Sequence, residues 1–314
     1  MKRGSLILTA MSLGVIGAAF DRGLQAQAPT ITFKSGVDLV RVSAVVRDHK
    51  GRFVQDLAAR DFEILEEGRP RPITDFHRDQ SGVSIAVLFD VSGSMEGALG
   101  SAREAAEHVL SWLEPQRDEG AIFTFDTRLH EQMPFTAGLR TLPREMASVV
   151  PFGATSLHDA IARTAERVGA REGRRRAVVV LTDGRDNHSR MTPDAVSAIA
   201  SAIDVPVYVF GIVPSIDNPT ADTRTLAAEH SALAGALADL ASWTGGHVFV
   251  ASTPGQRSVA ARQIVDELRH QYLLAFESSG TPGWHPLVVR ARDKDLTVRA
   301  RSGYLAGQSK PRSF

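Results

Sequence analysis

The chain has 314 residues, with 36 Lys+Arg balanced by 36 Asp+Glu, 43% hydrophobic residues and no cysteine. That length allows one large domain or two smaller ones around a sizeable core, and the even charge lacks the basic excess that marks nucleic-acid binding. Without cysteine there are no disulfides, thiolate zinc sites, cysteine nucleophiles or bacterial lipoprotein anchor.

Residues 1–28 read as a signal peptide. Lys2 and Arg3 form a positive start, Leu6 to Phe20 is uncharged and apolar or small, and Ala26-Gln27-Ala28 supplies a small-x-small cleavage site. The apolar run falls short of the roughly 20 residues a membrane span needs. Cleavage after Ala28 is expected, leaving a slightly acidic mature chain that is secreted or periplasmic. A short N-terminal anchor is the other reading of this segment.

The N-terminal flank, 29–82, reads as strands. Val40, Val42, Ala44 and Val46 alternate with Arg41, Ser43 and Arg47, the period of a half-buried strand. Asp48 to Gly51 is a turn, Phe62 and Ile64 begin another strand, and Glu67 to Pro70 turns the chain into Ile73 to Phe76. From 83 to 270 strands alternate with helices. Ile85 to Phe89, Ala121 to Phe125, Ala177 to Leu181 and Val205 to Val213 are buried strands, and Leu129 to Phe135 follows so short a turn that it must be an antiparallel edge. Leu99 to Leu113, Leu157 to Val168, Pro193 to Ile203, Ala232 to Trp243 and Val259 to Arg269 carry helical patterns. Such alternation predicts an α/β fold with a doubly wound, mostly parallel sheet. The C-terminal flank, 271–305, returns to strands at Tyr272 to Phe276, Leu287 to Arg292 and Leu296 to Arg301, with Asp293-Lys294-Asp295 as a hairpin loop; 306–314 is a tail. Each flank alone is small for a stable sheet, so the two are expected to pair into one β-sandwich with the α/β domain inserted between them.

The most informative run is Asp90-Val91-Ser92-Gly93-Ser94, directly after the apolar strand Ile85 to Phe89. Ligands of open α/β sheets collect beyond the carboxyl ends of the strands, and carboxylate and hydroxyl oxygens are hard donors suited to Mg²⁺, Mn²⁺ or Ca²⁺. Two later pieces stand in matching places: Gly153-Ala154-Thr155-Ser156-Leu157 before a helix, and Leu181-Thr182-Asp183-Gly184 after a strand. In this order the three resemble the metal-ion-dependent adhesion site of von Willebrand factor A (VWA) domains. The flanking phrases Val45-Val46-Arg47-Asp48, Asp61-Phe62-Glu63 and Arg301-Ser302-Gly303-Tyr304 are similar to those of a secreted bacterial group described as VWFA-related. The resemblance implies a Rossmann-like VWA fold. It also implies a metal held directly by Ser92 and Ser94, by Thr155 directly or through a water, and by Asp90 and Asp183 through waters or themselves. Neutral hydroxyls leave much of the cation's charge uncompensated, so the ion could recruit an Asp or Glu carboxylate from a protein partner, which is binding rather than catalysis.

Blander readings stand beside this one. Ser92 or Ser94 could cap the following helix, Thr155 could cap the helix at Leu157, and Asp183-Gly184 could be an ordinary turn. Asp126 reads as a turn residue, Arg174-Arg175-Arg176 as a solvated edge, Asp186 to Ser189 as an exposed loop, and Pro214 to Glu229 as either a lid or surface. A metal-assisted hydrolase is the alternative function, with His158 the one candidate base, and a metal-free structural scaffold is the third. Neither a Gly-x-Ser-x-Gly elbow nor a His-Glu-x-x-His helix is present, and a dehalogenase-type phosphatase would want an aspartate where Ser92 stands.

Overall fold

The computed structural model describes residues 39–306 apart from 79, 172, 203, 214–232 and 234. The signal segment and the loop from Pro214 to Glu229 therefore lie outside the described residues.

Fourteen strands and five α-helices are described. Six strands form the central sheet: β5 (Val83–Asp90), β6 (Glu119–Phe125), β7 (Leu129–Ala137), β8 (Arg175–Thr182), β9 (Val207–Ile212) and β10 (Val248–Ala251). Their order is β10-β9-β8-β5-β6-β7. All neighbours are parallel except β6 and β7, so the short turn after Phe125 makes the antiparallel edge its length demanded. Every residue of β5, β6 and β9 is buried, which is why these strands read as unbroken apolar runs. One face is covered by α1 (Leu99–Ser111) and α5 (Pro254–Arg269), the other by α2 (Leu157–Gly169), α3 (Pro193–Ala202) and α4 (Ala236–Trp243). Chain order reverses between the neighbours β5 and β8, and in open α/β sheets ligands collect beyond the strands' carboxyl ends at such a point.

The flanks make two four-stranded antiparallel sheets. One is β13 (Thr297–Ala300), β1 (Leu39–Arg47), β11 (Gln271–Glu277) and β4 (Ile73–Arg78), in that order. The other is β14 (Gly303–Ala306), β12 (Gly283–Ala291), β2 (Phe62–Glu66) and β3 (Arg69–Arg71). Each mixes strands from before and after the α/β region. Val42, Ala44, Phe62, Ile64, Tyr272, Leu274, Phe276, Leu287 and Tyr304 share one buried core. The sandwich is thus closed only when both flanks are present.

Four details differ from the sequence reading. Asp293 to Asp295 does not close a hairpin: β12 and β13 lie in different sheets, and the segment carries the chain across the sandwich. Period-2 alternation fixes which face a residue takes but not which strand it pairs with. The turn expected over Glu67 to Pro70 is confined to Glu67 and Gly68, because Arg69–Arg71 form β3, and the four-residue strands β10 and β14 are further elements that the sequence pattern does not predict. Arg175 is no solvated edge, being 5% exposed at the start of β8.

The flanks grip the α/β region through arginines. Glu267 of α5 is fully buried and pairs with Arg47 of β1 at 2.9 Å and with Arg299 of β13. Arg301 donates to the carbonyls of Ser201, next to the last residue of α3, and Arg41 of β1.

Candidate functional site

All five candidate residues stand on three loops at the carboxyl edge of β5 and β8. Asp90 ends β5, Asp183 follows the last residue of β8, and Thr155 precedes α2. Backbone hydrogen bonds tie the loops together. The Phe152 amide donates to the Val91 carbonyl at 2.8 Å, and the Gly93 amide donates to the Gly153 carbonyl at 3.1 Å. Gly153 takes φ +84°, a left-handed turn that glycine adopts without steric cost. The Ser156 amide donates to the Asp126 carbonyl at 2.8 Å, joining the β6–β7 turn to the start of α2.

Asp90 is fully buried. Its Oδ1 accepts from the Ser92 amide at 3.0 Å and the Ser92 hydroxyl at 2.6 Å; its Oδ2 accepts from the Thr182 hydroxyl at 2.7 Å. The Ser92 and Ser94 hydroxyl oxygens lie 3.2 Å apart. Burial pushes the Asp90 carboxyl up to about 6 and the Asp183 charge adds to this, while the hydrogen bonds from Ser92 and Thr182 pull the other way.

The hydroxyls do not serve as helix caps. Ser92 precedes a short 3-10 turn and Ser156 precedes α2, and neither side chain caps its helix; the residue before α1 is Ala98. Asp183 does make a turn, with Oδ1 accepting from the Arg185 amide at 3.2 Å, and its half-covered carboxylate pairs with the exposed Arg185 side chain at 3.6 Å. Asp126 is a turn residue as read, accepting from the Arg128 amide at 2.7 Å.

Two residues whose roles the sequence reading missed hold the site in shape. Thr182 bridges the strands: its hydroxyl donates to Asp90 and accepts from the Gly184 amide at 3.0 Å. The signal is a lone hydroxyl closing the apolar run Ala177 to Leu181, one position beyond the Phe89–Leu181 pair of the parallel register. Asn187 is the second. Its side-chain oxygen accepts from the Thr155 amide at 2.9 Å, and the Thr155 carbonyl accepts from the Asn187 and His188 amides. The loop from Asp186 to Ser189 is therefore a brace rather than idle surface. Asp186 accepts from the His158 amide at 3.0 Å and pairs with His158 Nδ1 at 2.6 Å. Burial raises the Asp186 carboxyl, but hydrogen bonds from His158 and Ser189 outweigh it and leave it well below the usual range. Asp159 accepts from the Arg190 and Met191 amides, so it helps to pin the same loop.

Among the described residues, no three Asp, Glu, His or Cys side chains gather as a metal cluster, and no helix is long and apolar enough to cross a membrane. Residues 84–262, over half of the chain, match the family model for the von Willebrand factor type A domain. The chain belongs to the von Willebrand factor type A domain family. It carries a protein-interaction module of that family, whose domains are typically not catalysts. No curated protein matches it. Among solved structures it is similar to an aerotolerance-related membrane protein from Bacteroides fragilis NCTC 9343 with multiple mutations to serines. The identity is 22%, covering 60% of this chain and 98% of that one, with a TM-score of 0.47. It is also similar to BatB, a conserved hypothetical protein from Bacteroides thetaiotaomicron, at 19% identity over 59% of this chain and 98% of that one, with a TM-score of 0.47. A von Willebrand factor type A structure from Catenulispora acidiphila matches at 13% identity over 88% of this chain and 76% of that one, with a TM-score of 0.43.

Proposed function

We propose that this VWA domain is an extracytoplasmic protein-binding module that holds Mg²⁺, or Mn²⁺ or Ca²⁺, and uses the ion to bind an Asp or Glu carboxylate of a partner protein. The binding unit is residues 83–270, presented on the sandwich of the two flanks. Ser92, Ser94 and Thr155 would hold the metal through hydroxyls, with Asp90 and Asp183 supplying the negative charge.

The observation that carries this reading is the environment of Asp90. It is fully buried, yet among the described residues no lysine or arginine pairs with it; its partners are hydroxyls and an amide. A buried carboxylate is costly unless a cation balances it or it takes up a proton. A divalent ion fits that requirement, and the donor set fits such an ion, because two carboxylates and three hydroxyls are all hard oxygens. This composition also accounts for the missing acidic cluster, since most of the donors are neutral. When bound, the metal supplies a Lewis-acidic position for an incoming carboxylate. The chain's own part is positioning: Thr182 orients Asp90, Asn187 fixes Thr155, and the bond from Gly93 to Gly153 sets the spacing of the first two loops.

Titration calorimetry of the full chain with MgCl₂ and MnCl₂ tests the reading. Wild type should bind one ion per chain and Asp90→Ala should not, with its fold checked by thermal melting in chelator. Absence of binding by wild type, or binding unchanged in Asp90→Ala, overturns the proposal.

A further inference from the structure

Seven large apolar side chains are exposed among the described residues, and two stand apart: Phe152 at 81% and Val150 at 76%, against 52% or less for the rest. Scattered exposed hydrophobics are ordinary on protein surfaces. This pair differs in where it stands and how firmly it is held. It lies on the segment that leads into Thr155. The Phe152 amide is bonded to the carbonyl of Val91, which sits between Asp90 and Ser92, and the Gly153 carbonyl accepts from Gly93. On the other side of the pair, Arg103 of α1 donates to the Val149 carbonyl at 2.8 Å, and the Val149 side chain packs against the core under α1. The bonds at Val149, Phe152 and Gly153 hold this stretch of backbone with the two side chains outward, which lowers the ordering cost of binding.

We infer that Val150 and Phe152 form one composite surface with the hydroxyl–carboxylate cluster, and that it takes a protein segment with a large apolar side chain next to an acidic one. The inference rests on the metal-site reading above. Phe152 and Val150 provide the apolar edge and the metal-holding hydroxyls the centre. Arg185, which is 70% exposed and only loosely paired with Asp183, adds positive charge on the β8 loop. A segment that is acidic and apolar at neighbouring positions matches this surface in both charge and polarity. A purely acidic one would leave the apolar rim in water. The apolar contact would supply buried area, and the carboxylate would fix the orientation.

The test pans a phage-displayed random-peptide library against the full chain in MgCl₂, with parallel panning against Asp90→Ala and against the double variant Val150→Ser/Phe152→Ser. Melting temperatures should match wild type for the double variant, since both side chains are exposed. Wild type should select peptides with Asp or Glu beside Leu, Ile, Phe or Trp. The double variant should keep the acidic preference and lose the apolar one, and should bind a selected peptide about tenfold more weakly, the scale of one lost apolar anchor. Acidic selection without apolar preference, or one unchanged in the double variant, overturns this inference and leaves the metal-site reading standing. Selection that is indifferent to Mg²⁺ and to Asp90→Ala overturns both. Sedimentation with phosphatidylglycerol vesicles that requires Val150 and Phe152 would assign the rim to a membrane and overturn the inference as well.

Discussion

At the carboxyl end of the central strands, Asp90 is buried among hydroxyl and amide donors, whereas at the amino end Asp118 and Glu119 are buried against arginines. Glu119 accepts from Arg171 at 2.7 and 2.8 Å and from the Ser84 hydroxyl; Asp118 accepts from the Val83 and Glu114 amides and from Arg269 at 2.9 Å. Burial raises both amino-end carboxyls. At Glu119 the arginine and serine hydrogen bonds outweigh it, at Asp118 two backbone amides and Arg269 do, and both end below the usual range. At Asp90 burial wins and the carboxyl rises to about 6. One sheet thus carries two kinds of buried acid. The amino-end pair is neutralised by the protein itself and serves the fold. Asp90 is held in place by hydroxyls and an amide with no arginine beside it, which is the contrast on which the proposed function rests.

The largest expected effect breaks the amino end. Glu119→Gln leaves Arg171 and Arg174, which are 40% and 31% exposed, facing a neutral group in place of the buried carboxylate, and should cost about 1.5–3 kcal/mol at neutral pH by urea denaturation. The pH dependence follows from the same pair. Their folded values lie below the unfolded ones, so their stabilisation is complete above the unfolded carboxyl range near pH 4.5 and is lost as pH falls through the folded values. Wild type should therefore lose stability steadily between about pH 5 and pH 3, and Glu119→Gln should show a shallower slope. Equal slopes would mean that Glu119 is not held as an anion by Arg171.

The same contrast explains what could be read from the chain and what could not. Apolar runs ending in Asp90 and Thr182 locate the parallel sheet and its carboxyl edge, because buried strands and their ligand-bearing ends follow from local pattern. The braces are not local. Thr182 meets Asp90 across 92 positions of sequence, and Asn187 reaches Thr155 across 32. No spacing rule joins such partners until strand order is known. The misread hairpin at Asp293 to Asp295 has the same origin: Leu287 and Leu296 begin identical alternations, but their strands pair with β2 and β1 in different sheets. Val248 to Ala251 escaped because a four-residue apolar run carries too little periodicity to separate strand from helix.

An intermediate effect probes how Asp90 is held. Thr182→Val keeps the shape of the side chain and removes the hydroxyl that donates to Asp90 Oδ2 and accepts from Gly184. It should weaken Mg²⁺ binding by 10–100-fold in calorimetry, the usual range for a residue that orients a ligand. Stability in chelator should fall by only about 1–2 kcal/mol, because two hydrogen bonds are lost and the Gly184 amide that made one of them is only partly buried. A larger stability loss with unchanged metal affinity would make Thr182 a purely structural link between β5 and β8.

The smallest effect separates Asp183 from its neighbour. Arg185 lies within 3.6 Å of Asp183 but is 70% exposed, and an ion pair in that position is screened by water and costs entropy to order. Arg185→Ala should therefore change stability by under about 0.5 kcal/mol. Removing a cation from beside the carboxylate proposed to hold the metal leaves that carboxylate more available, so Mg²⁺ affinity should stay level or rise slightly. Binding of a selected acidic peptide should fall by about two- to threefold, since Arg185 then no longer adds its charge to the surface facing the peptide. Opposite signs for metal and peptide in one variant would place Arg185 on the partner-facing side of the site. A fall in both would instead mean that Arg185 helps to hold the Asp183 loop itself in shape, in the way Arg171 and Arg269 act at the amino end of the sheet.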